Sequence, residues 1–509
     1  MKKSLTAIFA ATTLASCTQP AAEQPNIILF LVDDMGWQDT SLPFHTDTTR
    51  WNRLFETPNM ERLAQKGVKF TNAYASSISS PSRVSLMTGV NPTRHKVTNW
   101  TFHKDKSTDQ PNELFDFEEW NVNGFTLDGS VERAYHATSF PQILRENGYT
   151  TLFVGKGHFG AIGTPSENPI NVGFDRNVGG HAAGSQGSYL GELSYGNDLP
   201  SGPFYGVPDL EEYHHTDTFL TEALTLESQK LMDEALDSGK PFFLYMAHYA
   251  VHVPFDADVR FYQKYKDMGL EEQEARYASI VEGMDKSLGD IMDYLDERDI
   301  ADNTIIMFMS DNGGYTVGVR SKTFDGVGKN TPLRAGKGSL YEGGVREPMI
   351  AYVPGMTAPN SKNDSPIAIE DFFPTILELA GATGETVQEL DSKSFVAALQ
   401  GEDINGERPL IWHYPNNWGE RTPDCGEPCS AIRLGDMKFI HRYETQSNEL
   451  YNIAQDLSET NNLIGSSTEN DQIAAKLAKI LSDKLRTEGS NMPVAKATGE
   501  RSPYPDQTL

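Results

Sequence analysis

The sequence predicts an α/β protein: a large, mostly parallel central sheet flanked by helices, followed by a smaller C-terminal α+β subdomain with a short antiparallel sheet. Three observations carry this expectation. Apolar runs too continuous for half-exposed strands recur at 26–32, 149–154, 241–246, 304–309 and 348–353, as strands buried on both faces require. Segments of helical period lie between them, at 58–67, 139–147, 217–236, 271–298 and 369–381, several closing on Gly or Asn as helix C-termini do. After residue 401 the pattern changes to strand-like pieces at 410–413, 431–442 and 449–453, then one amphipathic helix at 472–485.

The composition narrows the class. Over 509 residues, 43 Lys+Arg against 71 Asp+Glu leave a formal charge of −28, the wrong sign for binding nucleic acid or anionic lipid through the net field. With 25 Phe, 20 Tyr and 6 Trp the chain is too aromatic to be disordered, and no apolar run approaches the ~20 residues of a membrane-spanning helix. The run at 5–16, preceded by Lys2 and Lys3, reads as a signal peptide. It ends Leu14-Ala15-Ser16-Cys17, similar to the bacterial lipobox, in which the cysteine is lipidated; an ordinary cleavage site with an incidental cysteine is the alternative. An exported, lipid-anchored bacterial protein, in the periplasm or at the outer membrane, is therefore expected, touching membrane only through that anchor. Cys425 and Cys429 remain, and an exported context makes a short-range disulfide between them plausible, with free thiols as the alternative.

Two buried strands end alike. The run at 26–32 leads into Asp33-Asp34, and that at 304–309 leads through Ser310 into Asp311-Asn312. Ligands of parallel sheets bind beyond the carboxyl ends of strands, and four oxygen-bearing side chains suit calcium or magnesium rather than zinc. Between them, Ser79-Ser80-Pro81-Ser82-Arg83 precedes a short helix that Gly89 can end, so Ser79 falls where unsatisfied N–H groups and Arg83 favour an anion. A plain N-cap serine is the other reading. The long polar loops 101–137 and 161–208 have the length of functional walls.

Ser79-Ser80-Pro81-Ser82-Arg83 with Thr88-Gly89 resembles the signature of the type I sulfatases of the alkaline phosphatase superfamily. Gly155-Lys156-Gly157-His158, Val251-His252-Val253-Pro254, the lysine loop 332–338 and Tyr341-Glu342-Gly343-Gly344 resemble further motifs of that family in the same order. A valine replaces the first proline of the Pro-His-x-Pro motif. The resemblance, from Pro25 to about Leu463, implies an alkaline-phosphatase-like fold; together with the pattern above it divides the chain into a leader at 1–17, a catalytic domain at 25–401, a subdomain at 402–488 and a tail at 489–509. The resemblance also implies that Ser79 is oxidised to formylglycine, by a radical-type maturation enzyme because the residue is Ser. Asp33, Asp34, Asp311 and Asn312 would bind calcium with modified Ser79, while Arg83, Lys156, His158, His252 and Lys337 would hold sulfate or move protons.

The chemistry explains the modification. A serine hydroxyl attacking sulfur would stay sulfated, whereas an aldehyde hydrate attacks with one oxygen and expels sulfate by deprotonation of the other. By the same resemblance His252, with Lys337, would protonate the leaving oxygen and His158 would assist elimination. Trp100, Trp120, His181 and His413 are candidates to bind a sugar. The expected substrate is a sulfated polysaccharide or its oligosaccharides, with the algal polymers ulvan, carrageenan and fucan ahead of animal glycosaminoglycans. The alternatives are a phosphatase or phosphodiesterase on the same fold, using two zinc ions, and a lipid-anchored glycan-binding protein without turnover.

Overall fold

The computed structural model describes residues 24–320, 328–404, 408–419 and 421–509; the leader and Cys17 lie outside the described residues. The central sheet is built from β1 (Asn26–Val32), β2 (Val68–Tyr74), β3 (Thr150–Gly155), β4 (Arg176–Val178), β5 (Phe242–Ala247), β6 (Thr304–Ser310), β7 (Arg346–Tyr352), β8 (Ser361–Asn363) and β9 (Ile367–Ala368). Its order is β8-β2-β7-β6-β1-β5-β3-β4, with β9 also paired to β2. Only β7 runs antiparallel to its neighbours β2 and β6. The five expected strands are all present, β1 with the expected ends.

Alternation along β1 explains its unbroken apolar sequence. Ile28, Phe30 and Val32 enter the core under α1 (Pro58–Lys66), α4 (Leu220–Asp237) and α5 (Glu272–Glu297). Ile27, Leu29 and Leu31 enter the opposite core, under α2 (Ser79–Thr88), α3 (Phe140–Glu146) and α6 (Phe372–Leu379). Both faces are covered, so positions 27–32 are apolar throughout, and the buried amide of Asn26 at the strand's start is hydrogen-bonded to Thr304 and Phe242 N.

The C-terminal sheet has the order β10 (Leu410–Tyr414), β11 (Cys429–Leu434), β12 (Met437–Arg442), β13 (Ser447–Asn452), all antiparallel. The piece expected at 431–442 is thus two strands, because Gly435 at φ 59° turns the chain between them. One face of this sheet packs Trp412, Ala431 and Ile440 on Tyr74, Ile78 and Tyr341 of the larger part. The other packs Ile432, Phe439 and Leu450 on α7 (Thr468–Thr487) through Leu477, Leu481 and Leu485. Beyond Gly489 the extended tail turns back, and Pro493–Ala495 pairs with Phe115–Phe117 in the first long loop.

Cys425 and Cys429 are free thiols and both are buried. The structure therefore takes the thiol alternative over the disulfide: Cys429 opens β11 within the interface core, and Cys425 Sγ faces the Gly336 carbonyl at 3.9 Å.

Candidate active site

The carboxyl ends of β1 and β6 lie side by side, since the two strands pair in parallel with Val32 opposite Ser310. Asp33, Asp34, Asp311 and Asn312 therefore emerge together, all completely buried. Ser79 opens α2 above them. Ile78 takes the N-cap position with no side-chain cap, so the Ser79 hydroxyl is not a helix cap. Ser79 Oγ stands 3.2 Å from Asp33 Oδ1 and 3.1 Å from Asn312 Oδ1, and it receives a hydrogen bond from Lys156 Nζ at 3.1 Å.

Three buried acids meet three buried bases one to one. Lys156 Nζ lies 2.6 Å from Asp33 Oδ2, Lys337 Nζ lies 2.6 Å from Asp34 Oδ1, and Arg83 Nε lies 2.9 Å from Asp311 Oδ2. Arg83 also donates to the Lys156 carbonyl at 2.8 Å, and its Nη2 has no hydrogen-bond partner among the described residues. Burial lowers the pKa of Lys156 further than Asp33 restores it. At Lys337 burial acts the same way but Asp34, Asp33 and Asp311 outweigh it and raise the pKa.

The two histidines hold defined tautomers. A carbonyl can only accept, so His158 Nε2 carries the proton it gives to Thr101 O at 3.1 Å, and its buried Nδ1 is an unpartnered lone pair. Likewise His252 Nδ1 donates to Val253 O at 2.7 Å, which leaves Nε2 as a lone pair 3.6 Å from Asp34 Oδ2. Burial, reinforced by Lys337, pushes His252 down to about 3; burial, Lys156 and Arg83 push His158 well below its ordinary value. Both rings are neutral at pH 7.

These features test the expected cation. Asp34 Oδ2 is buried without a hydrogen-bond partner among the described residues and faces the His252 lone pair, an arrangement that a positive ion between them would relieve. Asp33, Asp34 and His252 can converge on one ion, and the Ser79, Asp311 and Asn312 oxygens adjoin them. The donor set is rich in oxygen and fits a hard divalent cation.

The cavity over Ser79 has a volume of about 200 Å³ and is lined by His158, His252, Lys337, Trp100, Tyr205, Tyr315 and Trp418 among others. Trp100 is where a sugar-binding role needs it. His181 is not: its carbonyl accepts from His158 N at 3.1 Å while its ring packs near Tyr249, so it shapes the site through its backbone. His413 is corrected outright. It is buried in β10, bonded to Ser430 Oγ at 2.7 Å and Asn491 O at 2.6 Å, and burial lowers its pKa to about 4. Trp120 is also structural, its indole N–H held by Asp109 Oδ2 at 2.9 Å.

Tyr205, Tyr315 and Trp418 were missed by sequence reasoning. Tyr205 does lie in the loop expected to form a wall, but Trp418 arrives from the second sheet. There Trp418 N donates to Gly426 O and Gly426 N to Gly338 O, which sets the indole on Gly338 beside Lys337. A Cβ at Gly338, whose φ is +81°, would fall 2.3 Å from Trp418 Cε3. Gly338→Ala is expected to cost about 1–3 kcal/mol of stability from crowding and strain. Displacing Lys337 and Trp418 by as little as ~1 Å is expected to lower turnover about 10²-fold. Parallel melting and rate measurements check this.

Comparison with known proteins agrees with the geometry. The family model described as Sulfatase matches residues 25–382, and that described as N-sulphoglucosamine sulphohydrolase, C-terminal, matches 336–487. A protein named Sulfatase from Formosa agariphila is 31% identical over 92% of this chain and 89% of its own length. The N-acetylgalactosamine-6-sulfatase of Homo sapiens is 30% identical over 94% of this chain and 83% of its own length. The crystal structure of Ps i-CgsB in complex with k-i-k-neocarrahexaose superimposes with a TM-score of 0.72 at 27% identity, covering 91% of this chain and 93% of that one.

Proposed function

Because the chain belongs to the sulfatase family of sulfuric ester hydrolases, we propose that it releases inorganic sulfate from a sulfated polysaccharide or its oligosaccharides, with Ser79 oxidised to formylglycine as the nucleophile. The observation that carries this reading is the placing of Ser79 Oγ at the base of an aromatic-walled cavity, between Asp33, Asn312 and the Lys156 ammonium. Oxidised and hydrated, residue 79 supplies a second hydroxyl, the chemistry that frees sulfate without a second displacement at sulfur. A divalent cation, calcium by the family resemblance, would be held by Asp33, Asp34, Asp311, Asn312 and residue 79 and would neutralise sulfate oxygens.

The protein's own groups divide the remaining work. Lys156, with its ammonium at the nucleophilic oxygen, orients that oxygen and offsets its charge. His158 lines the cavity with its Nδ1 lone pair without a hydrogen bond, and would take the hydroxyl proton during elimination. The tautomer of His252 leaves it without a proton to give, so the leaving-group proton falls to Lys337, which stays protonated. In this reading Lys337 gives the proton that the resemblance assigns to His252 with Lys337. Arg83 lies beneath the cavity, where it holds Asp311 and the Lys156 backbone.

An oxygen-rich donor set supports one hard cation over the zinc pair of a phosphatase. A leader ending in a lipidated Cys17 would export and tether the enzyme where polymeric substrates are met. The bound carrahexaose of the structural relative favours an algal polymer, and the relatives named N-acetylgalactosamine-6-sulfatase favour a glycosaminoglycan as the second reading. Matured enzyme incubated with carrageenan, ulvan, fucan and glycosaminoglycan oligosaccharides is expected to release sulfate chiefly from an algal member. Release confined to small aryl or lipid sulfates would overturn the polysaccharide assignment.

A further inference from the structure

The aromatic wall of the cavity does not stop at its mouth. Trp100 and Tyr205 line the cavity, and Phe102 joins them, its ring 5.8 Å from Trp100 and stacked on Tyr205 at 5.4 Å with an interplanar angle of 17°. Phe204 continues outward, 6.2 Å from Phe102 and edge-on to His103 at 5.3 Å. Phe204 is 44% exposed. An isolated exposed phenylalanine needs no explanation; continuity with the cavity is what distinguishes this one. The two loops that build the row are about a hundred residues apart in sequence, so no local folding requirement brings them together. Lys104 follows His103 in the chain, exposed and without an ion pair among the described residues, although the chain carries a charge of −28.

The cavity itself, about 200 Å³, is smaller than the roughly 300–1,000 Å³ that enclose a drug-sized ligand. A chain of sugars bound at Ser79 must therefore continue outside. We infer that the row Phe102, Tyr205 and Phe204 is a subsite for the sugar adjoining the sulfated ring, with the C–H face of a pyranose laid on the aromatic faces and an anionic substituent turned toward Lys104. The inference rests on the sulfatase reading and deepens it: the enzyme recognises an oligosaccharide, not a single sulfated ring.

Phe204→Ala and Phe204→Trp test it, since residue 204 lies outside the catalytic groups and its exposure leaves the fold unaffected. Rates are measured on para-nitrophenyl sulfate and on sulfated monosaccharides and hexasaccharides of carrageenan, ulvan and fucan. For the polymer turned over, Phe204→Ala is expected to raise KM for the hexasaccharide roughly three- to tenfold, the range of one aromatic contact. KM for the sulfated monosaccharide and for para-nitrophenyl sulfate should stay unchanged, and Phe204→Trp should restore the hexasaccharide value. An equal change for both lengths, or none for the hexasaccharide, would overturn the subsite. Turnover of para-nitrophenyl sulfate with no oligosaccharide accepted would also overturn it while leaving the sulfatase reading intact; loss of both would refute that reading itself.

Discussion

Ser79→Ala is expected to abolish sulfate release while leaving the protein folded. The substitution removes the carbon to be oxidised and the hydroxyl that stands between Asp33, Asn312 and Lys156. Removing a covalent nucleophile costs on the order of 10⁴- to 10⁶-fold in rate. The structural loss is small by comparison, at about 1 kcal/mol for a hydrogen bond. Lys156 keeps its 2.6 Å pairing with Asp33, and α2 keeps its start because Ser79 does not cap it. Circular dichroism and melting should therefore match the parent, while sulfate assayed by ion chromatography falls to background. Activity above a trace in this variant would sink the assignment of the nucleophile.

The second large effect lies beneath the first. Asp311→Ala leaves the fully buried Arg83 guanidinium without its acid, and an uncompensated buried charge costs about 3–5 kcal/mol. It also removes one oxygen of the cation site, so activity and melting temperature should fall together. Removing the cation alone should be milder, because each carboxylate already faces a base and the site does not fly apart by repulsion. Mass action puts the loss at about 2.7 kcal/mol for a metal held at a hundred times its dissociation constant. Calorimetry with chelator, then with calcium restored, measures both. An unchanged melting temperature and rate after verified metal removal would contradict the site.

What the sequence disclosed follows physical lines. Strands such as β1 were legible because burial on two faces writes an unbroken apolar run. Val68–Tyr74 was not, because Lys69, Thr71 and Asn72 interrupt it; the strand's neighbours, not its composition, hold it in the sheet. Asp33, Asp34, Asp311 and Asn312 were legible because dipeptides at strand ends must converge once the strands pair. Trp418 was hidden, since only the docking of the second sheet on the lysine loop places it. His413 misled for the complementary reason: a histidine beside aromatic residues looks like a ligand-binding group until the tail carbonyl of Asn491 fills its hydrogen-bonding capacity. Phe102 and Tyr205 stack across a gap of about a hundred residues, a pairing that no periodicity records.

The most direct measurement is the mass of the tryptic peptide 70–83 from protein matured by a radical-type enzyme, with fragment ions to locate any change. The expected result is a peptide lighter by two hydrogens at Ser79, in a fraction that rises in step with the rate of sulfate release. A fully active preparation in which Ser79 is wholly unmodified would contradict it.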